Sequence, residues 1–298
     1  MRKIKRHQEK YKNKLIIISV FSFLIIMTSG YAAFSTNISL HAKGNIKCNP
    51  KNIQDKILKD LTTEGDGLYK DEYTEGRYIY RGANPDNYIK FNSELWRIIS
   101  LENDGVIKII KSDAINDMAW DEQNSNDWLK PATINTYLNE SYYESLSEES
   151  QNLIITHNWE VGMVSSDNDN MQLELQEEEK KTWNGEIGLI SHSEYLRANS
   201  NIKLCGTDKK NDENHITCNQ TNWLYSLGLY WWTISGRIDS NFLVWDVNGG
   251  GTFSDAFPAA GNENHYRYVF PVLHLSKDIK ICGEGTHDNP YQIQDNAN

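Results

Sequence analysis

Residues Leu15 to Phe34 carry no charged side chain, and residues 1–14 ahead of them hold seven Lys and Arg. A run of about 20 residues, at about 1.5 Å each, matches a hydrocarbon core of roughly 30 Å, and a basic flank stays in the cytoplasm. The run either spans the bilayer as an anchor or serves, from Leu15 to Met27, as the h-region of a signal peptide cut near Gly30-Tyr31-Ala32. Both alternatives put the rest of the chain outside. That placement constrains everything downstream, because it fixes the redox environment and the solvent in which the chain folds.

Charge divides along the same line. Residues 1–33 carry a net +6, which leaves −17 for the remainder of a chain whose total is −11. A surface so acidic repels nucleic acid and anionic headgroups, so membrane contact is expected through the N-terminal segment only, with no nucleic-acid partner. Residues 35–50 are small and polar without a period and read as a stem. Residues 51–298 are long and apolar enough for one packed domain.

Cys48, Cys205, Cys218 and Cys282 are an even set in a chain that leaves a reducing compartment, so two disulfides are expected. Cys205 and Cys218 flank a short polar loop, and that bridge is expected first. Pairing Cys48 with Cys282 then requires that the two ends of the domain lie side by side.

The pattern of the outer part is mixed. Asn52–Leu61 reads as a capped amphipathic helix with Ile53, Ile57, Leu58 and Leu61 on one face. Residues 77–80, 88–91, 95–99 and 106–110 are β-branched and aromatic runs between turns, a meander. Short helices are expected over Ala132–Asn139, Glu148–Ile154 and Ser193–Asn199. Strands are expected over 187–190, 230–234, 242–245 and 266–275. The acidic stretch from Ser165 to Lys181 reads as a solvated loop or helix face. No fixed-period repeat occurs, which disfavours solenoids and propellers.

Several segments in order, Tyr78-Ile-Tyr-Arg-Gly82, Leu95-Trp-Arg-Ile-Ile99, Ile187-Gly-Leu-Ile-Ser-His-Ser-Glu-Tyr195, Cys205-Gly-Thr207, Asn222-Trp-Leu224, Trp231-Trp-Thr-Ile-Ser235, Val244-Trp-Asp-Val247 and Phe270-Pro-Val-Leu-His-Leu275, resemble a family of extracellular domains of Gram-positive bacteria. That family is similar to C-type-lectin-like folds, including the formylglycine-generating-enzyme branch. The resemblance implies an α+β architecture: a mixed, mostly antiparallel sheet with flanking short helices and joined termini, here preceded by one N-terminal hydrophobic helix. Gly30 to Asn37 also resembles the leaders of camelysin-like and biofilm-fibre proteins, which are removed by a dedicated signal peptidase. That likeness raises a matrix or self-assembling role as the alternative to ligand binding.

No reaction is announced by the residues. There is no Gly-x-Ser-x-Gly elbow and no His-Glu-x-x-His, and the histidines lack ligand spacing. A formylglycine-type oxidase needs a reactive cysteine pair, whereas Cys205 and Cys218 read as structural. Calcium is a weak expectation: Trp245-Asp246-Val247-Asn248 and Asn262-Glu263-Asn264 supply oxygens without the lectin spacing, and Asn84-Pro85-Asp86 reads as a turn. The expectation is therefore a non-catalytic, surface-displayed binding module for a glycan or a surface protein, with self-association as a further outcome. Its expected site is the last strands and their loops, at Trp231, Trp232, Trp245, Asp246 and Asn248, beside the flexible Gly249-Gly250-Gly251. Because alternate strand residues point to opposite faces, one of Trp231 and Trp232 is expected to be exposed.

Overall fold

The computed structural model describes residues 48–228, 230–248, 250, 253–259 and 266–294. The expected basic start, hydrophobic segment, leader motif and nearly all of the stem lie outside the described residues, as do Gly249, Gly251 and Asn262-Glu263-Asn264. Among the described residues no helix is long and apolar enough to cross a membrane.

The strands, in chain order, are β1 (Lys51–Asn52), β2 (Gly67–Lys70), β3 (Tyr78–Arg81), β4 (Tyr88–Phe91), β5 (Glu94–Leu101), β6 (Ile107–Lys111), β7 (Asp117–Met118), β8 (His157–Glu160) and β9 (Thr182–Gly185). They continue as β10 (Ile187–Gly188), β11 (Trp231–Gly236), β12 (Leu243–Val247), β13 (Phe253–Pro258), β14 (Arg267–Tyr268), β15 (Val272–Leu275), β16 (Lys280–Cys282) and β17 (Tyr291–Gln294). The helices are short: α1 (Ile53–Ile57), α2 (Thr133–Tyr137), α3 (Tyr143–Ser145), α4 (Glu148–Gln151), α5 (Met171–Glu178), α6 (His192–Arg197), α7 (Ile202–Cys205), α8 (Asp208–Glu213) and α9 (His215–Asn219).

The fold is a mixture of helices and mostly antiparallel sheet. One large sheet runs β1-β16-β17-β4-β5-β6-β15-β10, with β2 and β3 attached through β5. A second runs β13-β12-β11-β14-β7, and β8 with β9 forms a separate hairpin. Only the β17–β4 and β11–β14 pairings are parallel among the described strands. The expected meander appears over β4, β5 and β6, whereas β3 pairs with β5 and not with β4; Asn92 and Ser93, both with positive φ, make the tight turn between β4 and β5.

The two ends of the domain meet in the sheet. β1 pairs with β16, β16 with β17, and β17 with β4, so the entering and leaving chain share one edge region. Cys48 and Cys282 are bridged there, and Cys205 is bridged to Cys218 between α7 and α9. Both expected disulfides are therefore present, as suits an extracellular or secreted location.

Several elements depart from expectation for physical reasons. Asn52 caps α1 through Gln54 N at 2.9 Å, and Ile53 and Ile57 are buried, but the chain tightens to a 3-10 turn at Leu58–Asp60. Three residues per turn carry Leu58 and Leu61 off the apolar face, and both are exposed. The strand expected over 266–275 breaks at Val269-Phe270-Pro271, where proline offers no ladder N–H. The helix expected over Ala132–Asn139 begins at Thr133 and passes into a π-turn at Leu138–Tyr142. There the Asn139 side chain donates to Ile187 O at 2.8 Å and accepts from Ile187 N at 2.9 Å, satisfying backbone at the edge strand β10.

The acidic stretch corrects an expectation more sharply. It holds α5, and Glu174 and Glu178, four apart on one face, are buried against α6.

Candidate functional site

Trp231, Trp232 and Trp245 are all fully buried, so neither member of the Trp231–Trp232 pair is exposed. Alternation holds, but both faces of β11 are covered. Trp231 packs edge-on against Tyr195 of α6 and against Phe270, with ring centroids 5.9 and 5.5 Å away. Trp232 donates its indole N–H to Met118 O at 2.9 Å, and Trp245 donates to Val164 O at 3.2 Å while its ring lies 4.8 Å from that of His192. Asp246 is likewise buried and accepts from the Arg267 guanidinium. Asn248, half-buried, accepts from Gly250 N at 2.7 Å. Three of these rings are core pieces with satisfied polar edges, and none presents a face to solvent.

A concave polar site lies elsewhere, between β6, β8, β15 and α6. It is a cleft of about 290 Å³ whose walls include Arg77, Lys108, Trp159, Glu194, Arg197 and His274. β6 and β15 are neighbours in the large sheet, and their register sets His274 directly beside Lys108. The β8–β9 hairpin brings His157 and Trp159 over them, with Trp159 fixed by its own hydrogen bond to Gly185 O at 2.9 Å. The His157 and His274 rings stack at 4.1 Å, and Trp159 meets His274 edge-on at 4.6 Å.

The opposite wall is a chain of ion pairs. α6 opens with a capping box in which Ser191 and Glu194 bond each other's backbone N–H. The other Glu194 oxygen accepts from Arg77 Nη2 and Lys108 Nζ, each at 2.7 Å. Arg77 Nε also reaches Glu102 at 3.1 Å, and Arg197 Nη1 reaches Asp71 at 2.6 Å. Burial alone would raise the Glu194 carboxyl, but Lys108 and then Arg77 hold it down at about 2. Burial likewise works against the Arg77 charge, and Glu102, Glu194 and Asp71 outweigh it.

His274 is held neutral. Burial, then Lys108, His157 and Arg77, push its pKa well below the usual value. Among the described residues its Nδ1 has no hydrogen-bond partner, and neither has the Nε of Arg197; both atoms are fully buried. At the rim, burial raises the Glu160 carboxyl while Arg77 and Arg197 pull it back.

A second polar cluster is sealed. His192 Nδ1 bonds Glu174, and Glu178 accepts from Ser193 N at 2.9 Å and from the hydroxyls of Ser191 and Ser193. Burial and then Glu174 raise the Glu178 carboxyl to about 7. All of these side chains are buried, so the cluster joins α5 to α6 and offers no route to a substrate. Among the described residues no group of three or more His, Cys, Asp or Glu could hold a metal ion.

Residues 104–277, more than half of the chain, match the family described as Domain of unknown function (DUF6273). The chain belongs to this family. The DUF6273 segment contains β6, β8, α6 and β15, so it carries Lys108, Trp159, Glu194, Arg197 and His274, while Arg77 and Glu102 come from outside it. No curated protein and no solved structure matches the chain.

Most cleft residues escape a reading of the sequence. Lys108 and His274 do leave a trace, as single polar residues inside the apolar runs Ile107-Lys108-Ile109 and Leu273-His274-Leu275. In a strand with both faces covered, such a residue needs a partner, and here each faces the cleft.

Proposed function

We propose that this chain is a non-catalytic, cell-surface binding module whose ligand enters the cleft between β8, α6 and β15. The observation that carries this is the cleft itself, about 290 Å³ of concave space lined by the cationic heads of Arg77 and Lys108, the carboxylates of Glu102, Glu160 and Glu194, and the half-buried His157 ring. Convergent polar groups around a concave space are what orients a bound ligand. Binding rather than chemistry is favoured because Arg77, Lys108 and Arg197 are each matched to a carboxylate, an arrangement that locks side chains instead of leaving one free to shuttle protons.

The resemblance to C-type-lectin-like domains points the same way, toward a glycan or a surface protein as the partner. Within the C-terminal strands, the recognising residue on this reading is His274, in place of Trp231, Trp232 and Trp245. The acidic outer charge and the two disulfides suit display outside the cell, held by the N-terminal segment or released from it.

Glycan and peptide arrays probed with the oxidised protein test the proposal. His157, half-buried at the cleft, is the variant of choice because its loss empties no core. Saturable binding that falls at least about tenfold in His157→Ala, with an unchanged melting temperature, is the expected result. Binding that is indifferent to His157→Ala would move the site off the cleft.

A further inference from the structure

We infer that the cleft selects an uncharged, hydroxyl-rich ring the size of one sugar unit, and discriminates against anions. This rests on the cleft being the ligand site. Three observations carry it.

The first is charge. Arg77, Lys108 and Arg197 are the cationic heads of the cleft, and Glu194, Glu102 and Asp71 already lie 2.6–3.1 Å from them. Glu160 adds a further carboxylate at the rim, and His274 stays neutral. A phosphate or carboxylate entering there finds no unspent positive charge and must break a buried ion pair to gain one. A hydroxyl group meets no such barrier.

The second is hydrogen-bonding capacity. Arg77 and Lys108 in the lining can only donate. Glu102, Glu160 and Glu194, whose carboxylates accept, line the same cleft. A group that both donates and accepts, as a hydroxyl does, can bond to both kinds, while an ammonium cannot use the cationic donors and an anion cannot use the carboxylates.

The third is shape. About 290 Å³ is at the lower end of small-molecule sites, room for one ring and not for an extended chain. The half-buried His157 ring gives that space an apolar face beside the polar lining, which suits a ring with a C–H face and hydroxyl edges.

Saturation-transfer NMR of the oxidised protein, with the His157 and His274 imidazole signals followed in parallel, tests the inference. The probes are methyl glycosides of glucose, galactose, mannose and N-acetylglucosamine, set against glucuronate, inorganic phosphate and methylamine. At least one neutral glycoside is expected to bind, to shift both imidazole signals, and to bind at least about tenfold more tightly than any charged probe. The same glycoside should weaken by at least about tenfold in Glu160→Ala, which removes an accepting group of the lining, and in His157→Ala. A charged probe that binds more tightly and is lost in these variants would overturn the ligand class while leaving the cleft as a binding site. Binding by none of the probes would overturn the class too, and the arrays would then decide separately whether the cleft binds a larger partner.

Discussion

Trp231, Trp232 and Trp245 are packed on every side and their indole N–H groups are bonded to backbone carbonyls, so truncating any of them removes both volume and a satisfied donor. Each Trp→Ala variant should cost about 3–5 kcal/mol, read from the midpoint of denaturant unfolding, where an exposed binding ring would cost almost nothing. His274 makes a prediction about pH. Its folded pKa lies well below its unfolded value of 6.5, so the unfolded chain takes up the proton first. Stability is therefore full above pH 6.5 and falls as pH drops below it. Glu194, held at about 2, adds a second acid-sensitive component that is lost from about pH 4.5 downward. His192 works in the opposite direction: its pKa is raised, with Glu174 foremost among the groups that outweigh burial, so its contribution is present below pH 6.5 and fades as pH rises. Comparison with His274→Gln isolates the first effect. The variant should lose less stability than the native chain between pH 7 and 5, and equal losses would remove His274 from the account.

At the scale of elements, Asn126 shows how a loop side chain sets a hairpin. Its Nδ2 lies 2.9–3.0 Å from the carbonyls of Arg237, Ser240 and Leu243, which form the turn between β11 and β12. Asn126→Ala takes this donor from all three carbonyls, of which Leu243 O and Arg237 O keep the backbone N–H of Arg237 and Ser240, and should cost about 1–3 kcal/mol, checked by urea unfolding. None of this is visible in the sequence, where Asn126 sits in a polar stretch like any turn residue. The strands β3 to β6 were legible because β-branched and aromatic residues cluster between Asn, Asp and Gly turns, and that chemistry is local. Burial of Glu174 and Glu178 was not, since their spacing marks a shared helix face but nothing nearby says that α6 covers it. The cleft was less legible still: its polar members run from Arg77 to His274, and only the register of β6 with β15 and the placing of the β8–β9 hairpin bring them together.

For the whole molecule, the disulfides divide the labour between a local loop and the closure of the fold. Cys205–Cys218 spans 13 positions, and replacing the pair by serine should cost about 3 kcal/mol in the chain-entropy account. Cys48–Cys282 spans 234 positions and joins the edge where β1, β16 and β17 meet, so its loss should cost more, about 5 kcal/mol. Calorimetry of the two double variants gives the order directly, and a larger effect from the short loop would contradict it. The most direct test of the central claim is a crystal structure of the oxidised protein with the strongest array ligand. We predict density in the cleft, in contact with His157, Lys108 and Glu160. A ligand seated on another face, with the cleft unchanged, would contradict the account.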